Sequence, residues 1–318
     1  MSIPGHRLSP WAARIPVLDS DFYDHPELYD ALLPVGAHLP FYVDLARKQG
    51  GAVLELACGT GQLTIPIALQ GLPIVGLDQS GAMLNVARNR ASAVNAPVAF
   101  VQGDMRNFSL EGDFKLIFVA RNSLLHLLST ADLLAALTAV RRHLAPDGVF
   151  AFDVFNPNVR LLARPAGQRF AVMEVRTEKF GTLSVEQTSD FDVATQVSRG
   201  TWYISSSDRR DAWVVPLTLR SIFPQELPLL LSAARLELIS RFGELPREPF
   251  GLAAEYSYAC AAGRSNARSP NDFRPWCGGI SGRRLNGRGE GIIRHSPCRS
   301  NTRRMTPGVA SELQSLTR

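Results

Sequence analysis

Val53-Leu-Glu-Leu-Ala-Cys-Gly-Thr-Gly61 is the stretch on which the fold turns. Its first four residues, Val53–Leu56, read as a short buried strand. The strand runs into a turn holding Gly59 and Gly61, which lack a Cβ, so the backbone can bend sharply and come close to a ligand. Apolar residues then recur at helical spacing from Leu63 to Gln70. Such a helix would aim its free N–H groups and the positive end of its dipole at the turn, and an anionic group is expected there. A dinucleotide fingerprint needs a third glycine, but Thr64 stands in that position. The Gly-Lys-Ser/Thr of a P-loop is also missing. A ligand carrying a carboxylate but no pyrophosphate fits better.

Working outward, short apolar runs alternate with helical ones. Strands are expected at Val53–Leu56, Ile74–Leu77, Val98–Val101, Lys115–Val119 and Val149–Val154, and helices at Leu63–Gln70, Met83–Ala93 and Asp132–Leu144. Apolar strands separated by helices imply a parallel sheet covered on both faces. Pro146-Asp147-Gly148 reads as the turn into the last of these strands. Three more polar sites lie at strand C-termini, where open α/β sheets bind ligands. Asp78 ends the second strand and can accept from two ribose hydroxyls. Asp104, in Gly103-Asp104-Met105, can accept from an adenine amine, with Met105 against the ring. Ala120-Arg121-Asn122-Ser123 follows the fourth strand.

Beyond Asn158 the texture changes. Ala171–Thr177, Thr182–Glu186, Thr188–Val197, Thr201–Ser205 and Trp213–Leu219 are rich in Val, Thr and aromatics and read as antiparallel strands. A helix to about Ala234 and strands at Leu236–Ser240 and Tyr256–Ala262 would complete the sheet. The expected organisation is an N-terminal arm with lid helices over 1–50, a ligand-binding core over 51–158, an antiparallel insertion over 159–220 and the rest of the sheet over 221–263. Residues 264–318 carry eleven arginines, no lysine and three acidic residues, and read as a disordered basic tail. That tail contributes 11 − 3 = +8 to a net charge of +5, so the remainder is mildly acidic, 5 − 8 = −3.

No stretch of the sequence reaches the ~18 apolar residues of a membrane span. The N-terminus has no signal-peptide pattern, and four unpaired cysteines suit a reducing cytoplasm. Cys277, His295 and Cys298 lack the close pairing of a zinc site, so no metal is expected. His143, beside Arg141 and Arg142, reads as a solvated helix residue. Cys58 reads as a packed thiol, and Trp202, Tyr203 and Trp213 as core aromatics.

Glu55–Gly61, Asp78, Asp104-Met105 and Asn122-Ser-Leu-Leu-His126 together resemble the class I S-adenosylmethionine (SAM)-dependent methyltransferases, particularly small-molecule enzymes of the glycine N-methyltransferase-like type. The resemblance spans about residues 20–262. It implies a Rossmann-like, doubly wound, mostly parallel seven-stranded sheet with an antiparallel insertion, and SAM across its C-terminal edge. It assigns Glu55, Ala57, Gly59 and Gly61 to the methionine end. Asp78, Gln79 and Met83 fall on the ribose side, and Gly103, Asp104 and Met105 on the adenine. Ala120, Arg121 and Asn122 flank the sulfonium, under a lid carrying Tyr23 and Tyr29. His126 and Asn122 are the candidate catalytic groups. Arg121 departs from the family, which usually has an apolar residue there, and Ala57 replaces its first glycine.

The implied partner is a small-molecule acceptor with an N or O nucleophile; no membrane partner is implied, and no pattern fixes an oligomeric state. The base-modifying Asn/Asp-Pro-Pro-Tyr motif is absent after the fourth strand, which argues against a nucleobase. Two alternatives stay open at this point: a nucleic-acid or protein methyltransferase recruited by the Arg-rich tail, and a non-catalytic SAM- or S-adenosylhomocysteine-binding protein.

Overall fold

A computed structural model describes residues 21–244, 248–249 and 256–263. The expected arm at 1–20 and tail at 264–318, with Cys277, His295 and Cys298, lie outside the described residues. The N-terminal part holds a 3-10 turn at Phe22–Asp24, then α1 (Pro26–Leu32) and α2 (His38–Gln49). The main sheet begins with β1 (Val53–Leu56), every residue of which is buried. There follow α3 (Thr64–Ala68), β2 (Ile74–Asp78), α4 (Gly81–Ala93), β3 (Ala99–Gln102), β4 (Phe114–Val119), α5 (Thr130–His143) and β5 (Leu144–Phe155). A short α6 (Val159–Leu162) leads into β6 (Phe170–Thr177), β7 (Gly181–Asp192), β8 (Val197–Ser205) and β9 (Trp213–Arg220). The chain returns through α7 (Glu226–Ala233), β10 (Leu236–Glu244), a two-residue β11 (Glu248–Pro249) and β12 (Tyr256–Gly263).

The main sheet runs β11-β10-β12-β5-β4-β1-β2-β3. It has the seven expected strands plus the short β11. Strands β3, β2, β1, β4 and β5 are mutually parallel, whereas β12, β10 and β11 add antiparallel. From β1 the chain steps to β2 and β3 on one side, and later from β4 to β5 on the other. The strand order therefore reverses between β1 and β4, and a crevice opens outside their C-terminal ends. On one face Tyr42, Leu45, Leu63 and Ile67 pack on Val53, Phe118 and Ala151. On the other, Leu133, Leu137 and Leu231 pack on Leu54, Ile117 and Phe152. The period-2 alternation of β4 and β5 between these two clusters is what a strand buried on both faces requires.

The insertion is one four-stranded antiparallel sheet, β6-β7-β8-β9, and not the five strands expected. Thr182–Glu186 and Thr188–Asp192 are one continuous strand. The rest of the expected third segment is the turn into β8, where Gln196 takes a left-handed φ of +59°. Gln187 does not break the strand, because its Oε1 accepts from the indole Nε1 of Trp202, its cross-strand partner, at 3.0 Å. One face of this sheet, through Leu183, Val185, Trp202, Ile204 and Val215, forms a separate core with Phe22, Leu28 and Leu32 of the N-terminal segment.

Two further expectations change. Pro146-Asp147-Gly148 lies within β5 as a bulge. Phe114 pairs Leu144 and Leu116 pairs Val149, so one residue of β4, Lys115, faces four of β5 between them. His143 is buried, not solvated. Its Nδ1 meets Ala139 O at 2.8 Å, its Nε2 accepts from Leu110 N at 3.1 Å, and it lies against Phe108. Helical position alone suggested solvent. The imidazole instead ties α5 to the β3–β4 connection, and the acceptor role of Nε2 puts the proton on Nδ1. Replacing it by phenylalanine leaves the Leu110 N–H without that acceptor. We expect His143→Phe to lower the unfolding free energy in urea by about 1–3 kcal/mol; unchanged stability would show that the tie contributes nothing.

Candidate functional site

A small open cavity lies at the crevice between β1 and β4, lined by Tyr29, Glu55, Ala57, Cys58, Thr60, Gln62, Leu63, Ala120, Arg121 and Ser123. Five of the sequence candidates meet there: Tyr29, Glu55, Ala57, Ala120 and Arg121. The residues after β1 and after β4 are brought together because their strands are in register, Glu55 beside Phe118 and Leu56 beside Val119.

Glu55 is fully buried, its Oε2 accepting from the hydroxyl of Thr64. Burial raises its pKa from 4.5 to about 8, against the opposing pull of the Thr64 hydrogen bond and of Arg121. Ala57 follows with a left-handed φ of +56°. The Cys58 thiol is buried and pushed well up by desolvation, as a packed thiol should be. Gly59 and Gly61 also have positive φ. A Cβ on Gly61 would lie 3.0 Å from Ile65 Cδ1 and 3.3 Å from Phe100, so the loop closes tightly onto the following helix.

The loop amides are less available than the sequence suggests. Gly59 N donates to Asp78 Oδ2 at 2.8 Å, and Gly61 N donates to Cys58 O at 3.0 Å. The helix behind them, α3, has only five residues. Two of the loop amides expected to face an anion at its N-terminus are thus engaged within the chain.

Asp78 closes the loop against the next helix, since its Oδ1 accepts from Ser80 N at 2.8 Å. Its pKa is raised by burial, with the amides of Ser80 and Gly59 opposing. Ser80 caps α4 through Met83 N, which places the Met83 side chain in the core; Gln79 is exposed, and its carbonyl accepts from Gln102. Gly103 is bonded to Asp78 O, so β2 and β3 end together. Asp104 is gripped by Arg106, Nε to Oδ1 at 3.0 Å and to Oδ2 at 2.9 Å, which holds its carboxyl below the usual range. Met105 packs on the main core. None of Asp78, Gln79, Met83, Gly103, Asp104 or Met105 lines the cavity; they form a second edge, over β2 and β3.

The N-terminal segment lies over the cavity. Asp30 of α1 accepts from Thr60 Oγ1 at 2.7 Å and pairs with Arg90 at 2.5 Å. Tyr29 lines the cavity, its ring 5.3 Å from the Arg121 guanidinium carbon. Tyr23 Oη meets His126 Nε2 at 2.7 Å, and the two rings are edge-on. Burial drives Tyr23 up and His126 down, so a protonated phenol faces a neutral imidazole at physiological pH.

Arg121 and Asn122 both have left-handed backbones, φ +59° and +65°. Two successive non-glycine residues in that region are strained. A group that the sequence reading missed holds them. Asp153, fully buried at the end of β5, accepts from Asn122 N at 3.2 Å and from Tyr42 Oη at 2.8 Å, and lies 3.6 Å from His38 Nε2. Asn122 Oδ1 in turn accepts from Phe155 N at 2.6 Å. Asn122 is thus engaged by β5 and is not among the lining residues. The signal for Asp153 was there to be read: it is the one carboxylate in the apolar run Val149–Phe155.

Comparison with known proteins agrees with this architecture. Residues 53–148 match a family model described as a methyltransferase domain. An uncharacterized methyltransferase of Synechocystis sp., sll0829, is 33% identical over 167 residues, covering 49% of this chain and 76% of that one. The dTDP-3-amino-3,6-dideoxy-alpha-D-glucopyranose N,N-dimethyltransferase of Streptomyces fradiae is 34% identical over 129 residues, 41% of this chain and 46% of that one. The chain spans about half the length of most of the curated relatives it matches. The solved structure of the CcbJ methyltransferase from Streptomyces caelestis superposes with a TM-score of 0.66 at 25% identity, over 77% of this chain and 99% of that one.

Two outcomes test the geometry. The folded value of Glu55 lies above its ordinary one, so its contribution to stability is complete below pH 4.5 and is lost as pH rises through about 8. Across that window wild-type stability should fall relative to Glu55→Gln, with a slope approaching ~1.4 kcal/mol per pH unit; parallel curves would remove the buried carboxyl. Ala57→Gly relieves a left-handed alanine and should stabilise the fold by about 1 kcal/mol in denaturant titration.

Proposed function

This chain belongs to the class I SAM-dependent methyltransferases, and from that premise we propose that it methylates an amine nitrogen of a small, sugar-like metabolite. The observation that carries the reading is the Tyr23–His126 pair, a neutral imidazole hydrogen-bonded to a phenol at 2.7 Å, with the Tyr23 ring 5.8 Å from that of the cavity-lining Tyr29. The relative that names an aminosugar N,N-dimethyltransferase supports the choice of nitrogen.

The residues present fit the cofactor's methionine end. A buried carboxyl, Glu55, and a guanidinium, Arg121, face one cavity, and the glycine loop beside it is closed tightly onto Ile65 and Phe100 at Gly61. In this reading Glu55 and Arg121 hold the amino-acid end, Asp78 the ribose and Asp104 with Met105 the adenine. When bound, SAM supplies an electrophilic methyl on its sulfonium. The chain supplies alignment and exclusion of water. Tyr29 and Tyr23, both largely buried, close the lid side. An amine acceptor that takes up the methyl group becomes an ammonium; His126, neutral and with Nε2 engaged by the Tyr23 phenol, takes the surplus proton at Nδ1. Tyr23 stays protonated throughout, so its phenol orients the imidazole and is not itself the base.

His126→Ala should lower kcat on an aminosugar acceptor by about 10²–10⁴-fold and leave the affinity for S-adenosylhomocysteine unchanged, and Tyr23→Phe should give a smaller loss. Because burial lowers the pKa of His126 below 6.5, the acid limb of kcat should fall below that value. Full turnover by His126→Ala, on any acceptor drawn from a panel of amines and aminosugars, would refute its role as base.

A further inference from the structure

The methionine end of the cleft has an unresolved electrostatic asymmetry. Arg90, Arg106, Arg169 and Arg220 each pair with a carboxylate. Arg121 is half-buried in the cavity wall, and among the described residues it has no acidic partner at ion-pair distance. Its guanidinium donates to Leu33 O, makes a long contact to Gln62 Oε1 at 3.4 Å, and lies over the Tyr29 ring. Facing the same cavity is the fully buried Glu55, whose own hydrogen bond goes to Thr64 and not to Arg121. A cation and an acid share one wall without neutralising each other.

The glycine loop sharpens the point. An anion bound there would look for backbone donors, but Gly59 N and Gly61 N are already engaged by Asp78 and Cys58. Facing the cavity is the Arg121 fork, which matches a carboxylate in two parallel hydrogen bonds. Nor is the placement of Arg121 a relaxed default. Its left-handed backbone, and that of Asn122, are held by Asp153 and by Phe155 N from the neighbouring strand. Strain that a structure maintains against the local preference of the chain accumulates at ligand sites.

We infer that Arg121 is the receptor for the α-carboxylate of the cofactor and that Glu55 opposite receives its α-ammonium, so that the cleft selects for a zwitterionic amino-acid end. The inference rests on the SAM reading above and adds to it a residue-level basis for discrimination. On binding, the guanidinium exchanges its contacts to Leu33 O and Gln62 for the carboxylate oxygens, while Tyr29 stays beneath its plane. The departure of this chain from the apolar residue usual at the position thereby adds a side-chain donor to carboxylate recognition.

The test is a binding cycle by titration calorimetry on the full chain, with three ligands: S-adenosylhomocysteine, its decarboxylated analogue that keeps the amine, and 5′-methylthioadenosine, which lacks the whole amino-acid end. Wild type should bind S-adenosylhomocysteine at least ~30-fold more tightly than the decarboxylated analogue. In Arg121→Met that ratio should collapse to within about threefold, whereas 5′-methylthioadenosine should bind both proteins within about twofold. The thioadenosine arm doubles as the check that the variant is folded. Arg121→Lys, which keeps the charge and loses the fork, should fall between. An unchanged ratio in a variant that still binds 5′-methylthioadenosine overturns the inference alone. A wild-type chain that binds none of the three overturns the SAM reading with it.

Discussion

Much of the site hangs on one carboxylate that never reaches solvent. Asp153 gathers the Tyr42 hydroxyl and the His38 imidazole from α2, and the Asn122 amide from the loop after β4. A carboxyl at that depth is tolerable only because each oxygen has a partner. In return it fixes the left-handed Arg121-Asn122 turn. The turn sets the cavity wall at Ala120 and Arg121, and also the start of the 3-10 turn Ser123–His126 that carries the imidazole. One buried carboxyl thus fixes the relation between the proposed cofactor-facing arginine and the proposed base.

The sheet provides the frame for this. Reversal of strand order between β1 and β4 leaves their ends without a helix stacked directly on them, and the N-terminal segment fills that opening. Its attachments are polar on the side of the glycine loop, through Asp30, and apolar on the side of the insertion, through Phe22, Leu28 and Leu32. The cleft is therefore roofed by a segment that belongs to the packing of both.

The parallel strands and their flanking helices were legible in the sequence because an apolar run of four to six residues between turn signals has few other readings. The glycine loop was legible for the same reason, and the family comparison bears out the class of protein it implied. What sequence could not convey was non-local. His143 sits on a basic helix end and reads as solvated until Phe108 and Leu110 close over it from the β3–β4 connection. Tyr23 and His126 are 103 residues apart, and Tyr42 and Asp153 are 111 apart, so no periodicity links them. The split of β7 into two came from treating Gln187 as a boundary, when its amide was simply paired with Trp202 across the strand. The helix after the glycine loop, expected to run eight residues, has five, and the amides of Gly59 and Gly61 are engaged within the chain.

The third apolar core has a consequence for inheritance. Because Leu183, Val185 and Val215 of the insertion share one packed interior with Phe22, Leu28 and Leu32, the insertion and the N-terminal arm are complementary surfaces of a single joint, although more than a hundred residues separate them in the chain. Grafting the insertion of a relative onto this sheet would leave the arm facing a surface it was not shaped for. Exchange between lineages should succeed when both pieces travel together, as a discontinuous cassette around an unchanged nucleoside-facing half.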